Sequence, residues 1–205
     1  ARLGVRNSLA QTVLKLTLPG MPDIYQGAEL WDLGLVDPDN RRPVDYATRI
    51  RLLNGIESAM ATDRPAAWCG MLEHWQGGEI KLAVTVALLE HRRRFPDLFA
   101  RGDYQPRLAS GPRAEHVCSF ARNHGSDHLL VVVGRWPAGL EAEPDWGGTS
   151  LEWPSSMHAP RQWRDLLSGQ IIEREGATVA VEALLNDLPA AVLVPLVEDD
   201  VAVPG

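Results

Sequence analysis

The chain has 205 residues, 45% apolar and 23% charged, with a formal net charge of −7. That length allows one or two domains with a real core, and the acidic balance excludes a nucleic-acid backbone as the expected partner, since such a partner needs a cationic surface. No apolar run approaches the ~20 residues of a membrane span and no signal-peptide pattern is visible, so no membrane partner is expected. Cys69 and Cys118 lie far apart, outside any CxxC or Cys/His spacing, which suits a reducing, cytoplasmic setting.

The pattern opens as an amphipathic helix over residues 5–18, with Leu9, Val13 and Leu16 on its inner face beside Leu14 and Leu18. Ser8 and Gln11 form a possible capping box, Asn7 is a competing start, and Pro19-Gly20 stops the helix. A helix already under way at Ala1 suggests a piece of a longer protein. A short apolar stretch at 23–25 leads into an acidic, proline-broken loop. Pro43 suits the first turn of the next helix, which Tyr46, Ile50, Leu53 and Ile56 carry to about residue 60. Residues 62–78 read as loop. A strong helix follows over 79–95, with Ile80, Val84, Leu88 and Leu89 inside and Arg92-Arg93-Arg94 in its last turn, where cations favour the helix dipole.

After about residue 104 the pattern becomes that of strands, expected at 116–122, 129–136, 150–153, 163–167, 170–173, 178–181 and 191–197. Turn signals stand at Asn123-His124-Gly125 and Ser168-Gly169. Trp136, Trp153 and Trp163 fall in strand patterns and are expected to be packed. Such spacing predicts a small antiparallel β-sandwich, joined near residue 100 to a helical half.

The chemistry concentrates in residues 19–46, which carry Asp23, Glu29, Asp32, Asp37, Asp39 and Asp45 among Trp31, Tyr25 and Tyr46. Carboxylates and guanidinium groups beside aromatic rings suit a sugar: hydroxyl pairs take bidentate bonds and C–H faces stack on rings. Asp37-Pro38-Asp39-Asn40-Arg41-Arg42 also supplies its own countercharges. From the residues alone, an ionic knot that pins the loop is the preferred reading. A calcium loop is a poorer fit, because the order lacks EF-hand spacing and holds two arginines. The six histidines form no metal motif, and no nucleophile, phosphate-loop or dinucleotide motif appears. No metal and no cofactor are expected.

Residues 20–29, GMPDIYQGAE, fit the pattern G-x-P-x-x-Y-x-G-x-E and resemble the eighth barrel strand of the α-amylase superfamily. The fuller run PDIYQGAELWD, followed by LVDPDNRRPVDY, is similar to one family within it, maltooligosyl trehalose synthase. The likeness continues through NSLAQTVLKLTLPG, KLAVTVALLEHRRRFPDLF, the GDY at 102–104, WRDLLSG and LLNDLPAAVL.

The resemblance implies an α/β fold followed by all-β: the C-terminal part of a (β/α)8 barrel at 1–100 and a small antiparallel β-sandwich domain at 101–205. A whole barrel takes about 250 residues, so the chain holds only its last helix–strand–loop–helix portion. The implied reaction turns the reducing-end α-1,4 bond of a maltooligosaccharide into an α,α-1,1 bond by intramolecular transglucosylation. In that family the nucleophile, the acid/base and the third carboxylate come from earlier barrel strands. No catalytic residue is therefore assigned here, and the fragment alone is expected to be inactive. Asp37, Asp39, Asn40, Arg41 and Arg42 become the candidates for contacting the substrate, which reverses the preference for an ionic knot. Tyr25, Gln26 and Glu29 become structural supports of the site. The implied partners are the maltooligosaccharide, the missing N-terminal barrel portion and other copies of the fragment. The alternatives are a carbohydrate-binding or stabilising module without catalysis, or part of an ordinary α-amylase-type hydrolase.

Overall fold

The runs Leu129-Leu130-Val131-Val132-Val133 and Ala190-Ala191-Val192-Leu193-Val194 are apolar at every position, which a strand tolerates when both faces are covered. The computed structural model, which describes residues 2–32, 43–142, 145–154, 160–186 and 188–196, covers both faces of these strands. The described helices are α1 (Arg2–Thr17), α2 (Tyr46–Thr62), α3 (Arg64–Glu73), α4 (Glu79–Arg94), α5 (Pro96–Arg101), α6 (Pro137–Ala142) and α7 (Val181–Leu184). The strands are β1 (Gln105–Arg107), β2 (Ala109–Ser110), β3 (Val117–His124), β4 (Asp127–Gly134), β5 (Ser150–Glu152), β6 (Gln162–Asp165), β7 (Ile171–Glu173), β8 (Thr178–Ala180) and β9 (Ala190–Pro195). None of the described helices is long and apolar enough to cross a membrane.

A six-stranded antiparallel sheet in the order β1-β3-β4-β9-β6-β7 forms the middle layer. Register pairs Val131 with Val192 and Leu130 with Leu193. The two-residue period then sends Phe120, Leu129, Val131, Val133, Val192 and Val194 to one face, where they pack on Leu9, Val13, Leu16, Ile80, Val84 and Leu88 of α1 and α4. Leu130, Val132, Trp163, Ala191 and Leu193 face the other way. They meet Leu151 and Val179 of a three-stranded sheet ordered β2-β5-β8. Trp153 and Trp163 stack there with centroids 5.6 Å apart. The fold is thus mixed helical and antiparallel, and its apolar core runs across residue 100.

Polar groups fasten these layers. Arg122 on β3 is 1% exposed. Its Nε donates to the Asp103 carbonyl at 2.8 Å and its Nη1 to the Thr17 carbonyl at 3.2 Å. Its Nη2 reaches the carbonyls of Leu98, Phe99 and Gly102 at 3.0, 3.2 and 3.0 Å. Burial lowers its pKa, Arg92 adds to this, and Asp103 opposes it. The GDY stretch belongs to this knot: a Cβ at Gly102 would collide with the Leu98 carbonyl, and the Asp103 carboxylate accepts from the Asn123 backbone at 2.9 Å. WRDLLSG holds a second one. Buried Asp165 accepts from Leu167 N, Ser168 N, Ser168 Oγ and Val192 N at 3.2, 3.0, 2.6 and 2.9 Å, so β6, its turn and β9 share one carboxylate. Burial raises its pKa and these four donors pull it back.

All seven expected strands are present with shifted ends; β1 and β2 are additional. Residues 62–78 are not loop but α3 and a 3-10 turn at Trp75–Gly77. The Asp63 side chain accepts from Ala66 N at 3.1 Å and Pro65 sits in the first turn. Helix α1 begins at Arg2, so Ser8 lies inside it and accepts from Thr12 through its carbonyl instead of capping. Pro43 precedes α2, which Asp45 caps through Thr48 N at 3.0 Å. Tyr46 and Ile50, which carry the helical spacing of α2, are 53% and 59% exposed, and Leu89, expected on the inner stripe of α4, is 41% exposed. Trp136 is also half exposed, with a left-handed φ of 55°, and Arg135 lies 3.8 Å over its ring. Residues 21–25 carry no regular structure, because no described strand offers them a ladder.

Two predictions follow from these buried cations and rings. Arg122→Met removes the donor to five carbonyls and is expected to lower stability by about 3–5 kcal/mol in urea unfolding; a loss under about 1 kcal/mol contradicts its role. His91 of α4 packs on Phe95 and Phe99 at 4.6 and 5.9 Å, and burial, then Arg94 and Arg164, lower its pKa to about 4. The unfolded chain protonates first, so this group's stabilising contribution is complete above about pH 6.5 and falls as pH drops toward 4. Relative to His91→Leu, the native chain should lose about 3 kcal/mol between pH 7 and pH 4, read from paired denaturation curves; parallel curves refute it.

Candidate functional site

The segment leaving α1 starts at a helix end capped by arginines of other elements. Arg92 Nη1 donates to the Leu16 carbonyl at 2.9 Å and Nη2 to the Gly20 carbonyl at 3.3 Å, while Arg122 takes Thr17. Arg92 also lies 4.5 Å over the Phe99 ring. The basic run at the end of α4 thus serves the dipole of α1 as well as its own. Gly20, at φ 121°, turns the chain out of the helix.

Residues 25–31 are then gripped from two sides. On the α2 side, Arg49 donates from Nη2 to the Gly27 carbonyl at 2.8 Å, from Nε to Glu29 Oε2 at 3.1 Å and from Nη1 to the Asp45 carbonyl at 3.1 Å. The Tyr46 hydroxyl donates to Gln26 Oε1 at 3.2 Å. On the α4 side, Lys81 Nζ donates to the Leu30 carbonyl at 3.0 Å, and Trp31 Nε1 donates to the Trp75 carbonyl at 2.6 Å. Lys81 also lies 5.7 Å over the Trp31 ring. Burial lowers the Lys81 pKa, Lys15 adds to this, and Asp32 and Glu29 oppose it. Gly27 supplies the positive φ of 91° that the turn requires, with the Ala28 N–H closing on the Tyr25 carbonyl at 3.0 Å.

Of the residues expected as supports, Glu29 and Gln26 are therefore tied to α2, and Tyr25 stands half exposed. Asp37, Asp39, Asn40, Arg41 and Arg42, the expected substrate contacts, lie outside the described residues. The sequence reading missed Arg49, Trp75, Gly78 and Lys81. Lys81 had a signal, being one of only two lysines, set between apolar residues of a buried helix. Chemically the rim offers hydroxyl, amide and carboxylate groups beside half-exposed rings, a set that suits a polyhydroxylated ligand. Glu29 is paired to Arg49 at 3.1 Å and serves as an anchor of the segment. Among the described residues no cluster of three or more His, Cys, Asp or Glu side chains is placed to hold a metal ion.

The clamp makes a test of its own. Gly78, at φ 88°, would place a Cβ 3.3 Å from Leu30 and from the Trp31 nitrogen. Gly78→Ala should cost about 1–2 kcal/mol and speed amide exchange in residues 26–31 more than in β4; uniform acceleration would mean the clamp is not local.

No family model matches the chain. Two proteins from strains of Mycobacterium tuberculosis, each called "Putative maltooligosyl trehalose synthase", are 40% identical over 188 residues, 92% of this chain and 20% of theirs. The maltooligosyltrehalose synthase of Arthrobacter ramosus superposes with a TM-score of 0.74 at 36% identity, over 94% of this chain and 22% of that one. An Anoxybacillus α-amylase, 17% identical with a TM-score of 0.57 over 94% of this chain and 33% of its own, shares the fold. The chain spans about a fifth of the length of the curated relatives it matches and is a homologue of that portion of them.

Proposed function

We propose that the protein to which this chain contributes is a maltooligosyl trehalose synthase, and that the chain is its C-terminal portion. The observation that carries this is the 40% identity sustained over 92% of the chain, which includes the clamped segment at 20–32. Residues 1–100 are read as the last helix–strand–loop–helix portion of a (β/α)8 barrel and 101–205 as the β-sandwich domain that follows it. On this reading residues 21–25 gain their ladder from barrel strands in other polypeptide. Tyr46 and Ile50, four apart on one face of α2 and exposed together, mark a face for the rest of the barrel or, in the isolated chain, for a second copy. The setting is cytoplasmic.

The reaction class is retaining transglucosylation. One carboxylate attacks the anomeric carbon and a second protonates the leaving oxygen. Both lie in other polypeptide. The released glucose turns in its pocket and attacks through its own anomeric hydroxyl, so the site must hold it and keep water out. Asp37, Asp39, Asn40, Arg41 and Arg42 are assigned to that holding task. Glu29, tied to Arg49, and Gln26, tied to Tyr46, keep the loop's base in place together with Tyr25.

The expected outcome for the full-length protein with maltopentaose is loss of reducing ends at unchanged oligosaccharide mass. A rise in reducing ends would make it an ordinary hydrolase. Asp39→Asn or Arg41→Met in that protein should weaken substrate use by roughly 5–30-fold and raise the share of free glucose. The 205-residue chain alone should give no product and should elute as more than a monomer; turnover by it would refute the division of labour, and a monomer would refute self-association.

A further inference from the structure

Away from this segment, the chain passes from β4 into α6 through Trp136, and it does so in the left-handed region, at φ 55°. Among the described residues no other residue except glycine has a positive φ. A tryptophan is strained there and a glycine is not, because a Cβ crowds the backbone. Apolar burial does not account for the choice, since Trp136 is 52% exposed.

The indole is nonetheless held in one place. The Arg135 guanidinium lies 3.8 Å from its centroid, and the His116 ring meets it edge-on with centroids 5.9 Å apart. His116 is buried and fixed in turn. The Arg135 N–H donates to the His116 carbonyl at 2.8 Å, and His116 Nδ1 lies 3.3 Å from the Arg135 carbonyl. Gly139 leaves room for the ring, because a Cβ there would stand 2.8 Å from His116 Cε1. The Gly139 N–H also donates to the Trp136 carbonyl at 3.1 Å, which closes the turn into α6. A cation–π contact at an exposed site is weak and offsets only part of the backbone strain. Strain of this kind gathers where a side chain meets a ligand.

A fixed, exposed aromatic plane with polar neighbours suits the C–H face of a sugar ring, whose hydroxyls need hydrogen-bonding groups at the rim. Beside the indole N–H stand the exposed Arg135 and the Glu115 carboxylate, the latter 4.0 Å from His116 Nε2 and 70% exposed. A protein partner is met by a wider apolar surface than one ring between two charged side chains. We propose that Trp136 is the platform of a second α-glucan site, where a glucose ring of the chain stacks on the face of the indole that Arg135 leaves open. The choice of an α-1,4-glucan among polyhydroxylated ligands rests on the proposed synthase function; the platform itself rests on Trp136, Arg135 and His116. Such a site tethers long glucans and takes no part in the reaction.

The test is affinity electrophoresis of the 205-residue chain in native gels containing glycogen, hydroxyethylcellulose or neither. Glycogen should retard the chain more than the β-linked polymer does. Trp136→Ala should weaken the apparent affinity for glycogen at least about tenfold, with Trp136→Phe between the two. Trp136→Gly removes the ring and suits the left-handed backbone, so the thermal midpoint should hold or rise while retardation is lost; this variant serves if the alanine one misfolds. The absence of retardation overturns the proposal, as does retardation indifferent to Trp136. A fall in the midpoint of Trp136→Gly with retardation kept makes Trp136 a packing residue and overturns it too. Equal retardation by both polymers overturns the α-glucan assignment. In the full-length protein Trp136→Gly should also reduce retardation; no change there gives the ring to other polypeptide and overturns the site. The maltopentaose assay decides the reaction separately: reducing ends that rise while glycogen retards the chain through Trp136 refute the synthase and support the platform, and reducing ends that fall with no retardation refute the platform alone.

Discussion

Five backbone carbonyls from the end of α1, the end of α5 and the loop before β1 converge on the one guanidinium of Arg122. Helix ends leave their last carbonyls unsatisfied, and burying them without donors is expensive. Arginine is the side chain suited to the place. It carries five N–H donors in a fixed fork and stays charged when desolvated, so one residue on β3 answers two helix ends at once. The cost of burying the cation is offset by the negative ends of those helices, with the Asp103 carboxylate close by. Because α1, α5 and β3 all meet there, their relative positions are fixed by a polar centre, and apolar packing fills in around it.

That centre explains why helices and strands share a core. Leu129, Val131 and Val133 need a cover, and α1 and α4 supply it; Leu130 and Val132 need another, and the three-stranded sheet with its tryptophans supplies that. Neither cover is optional for a strand apolar on both faces. The helical and strand-rich parts are consequently packed as successive layers, and the change of sequence pattern near residue 100 marks a change of secondary structure within one core.

How much of this was legible beforehand depended on whether the signal was local. The strands were found because alternation and turn residues act within a few positions, and α1 and α4 because their apolar stripes are periodic. Helix α3 was missed because Ala66, Ala67, Gly70 and Cys69 dilute the stripe, although Asp63 and Pro65 stated its start. Trp136 was read as packed from its place at the end of an apolar run, yet the chain turns there through a left-handed residue. The exposure of Tyr46 and Ile50 could not be read at all, because a helical pattern says which face is apolar and not what polypeptide covers it. For the candidate site, the motif located the segment, but Arg49 and Lys81 are brought to it by tertiary folding, from 20 and 51 residues away, and no spacing rule spans that.

A common device holds the segment. Among the described residues no strand gives it a ladder, so its carbonyls find donors elsewhere. Arg92 serves Leu16 and Gly20, Arg49 serves Gly27, and Lys81 serves Leu30. Each is a long cation reaching from a packed helix to a backbone oxygen, a bond stronger than its neutral counterpart. Gripping the main chain has a consequence for chemistry. The path of residues 20–31 is set chiefly by carbonyl positions that any residue could present, with Glu29, Gln26 and Trp31 adding side-chain ties. Exposed positions such as Met21 and Asp23 are then left to be chosen for what they meet outside the chain. That is how a stretch can be acidic, aromatic and proline-broken at once and still follow one course.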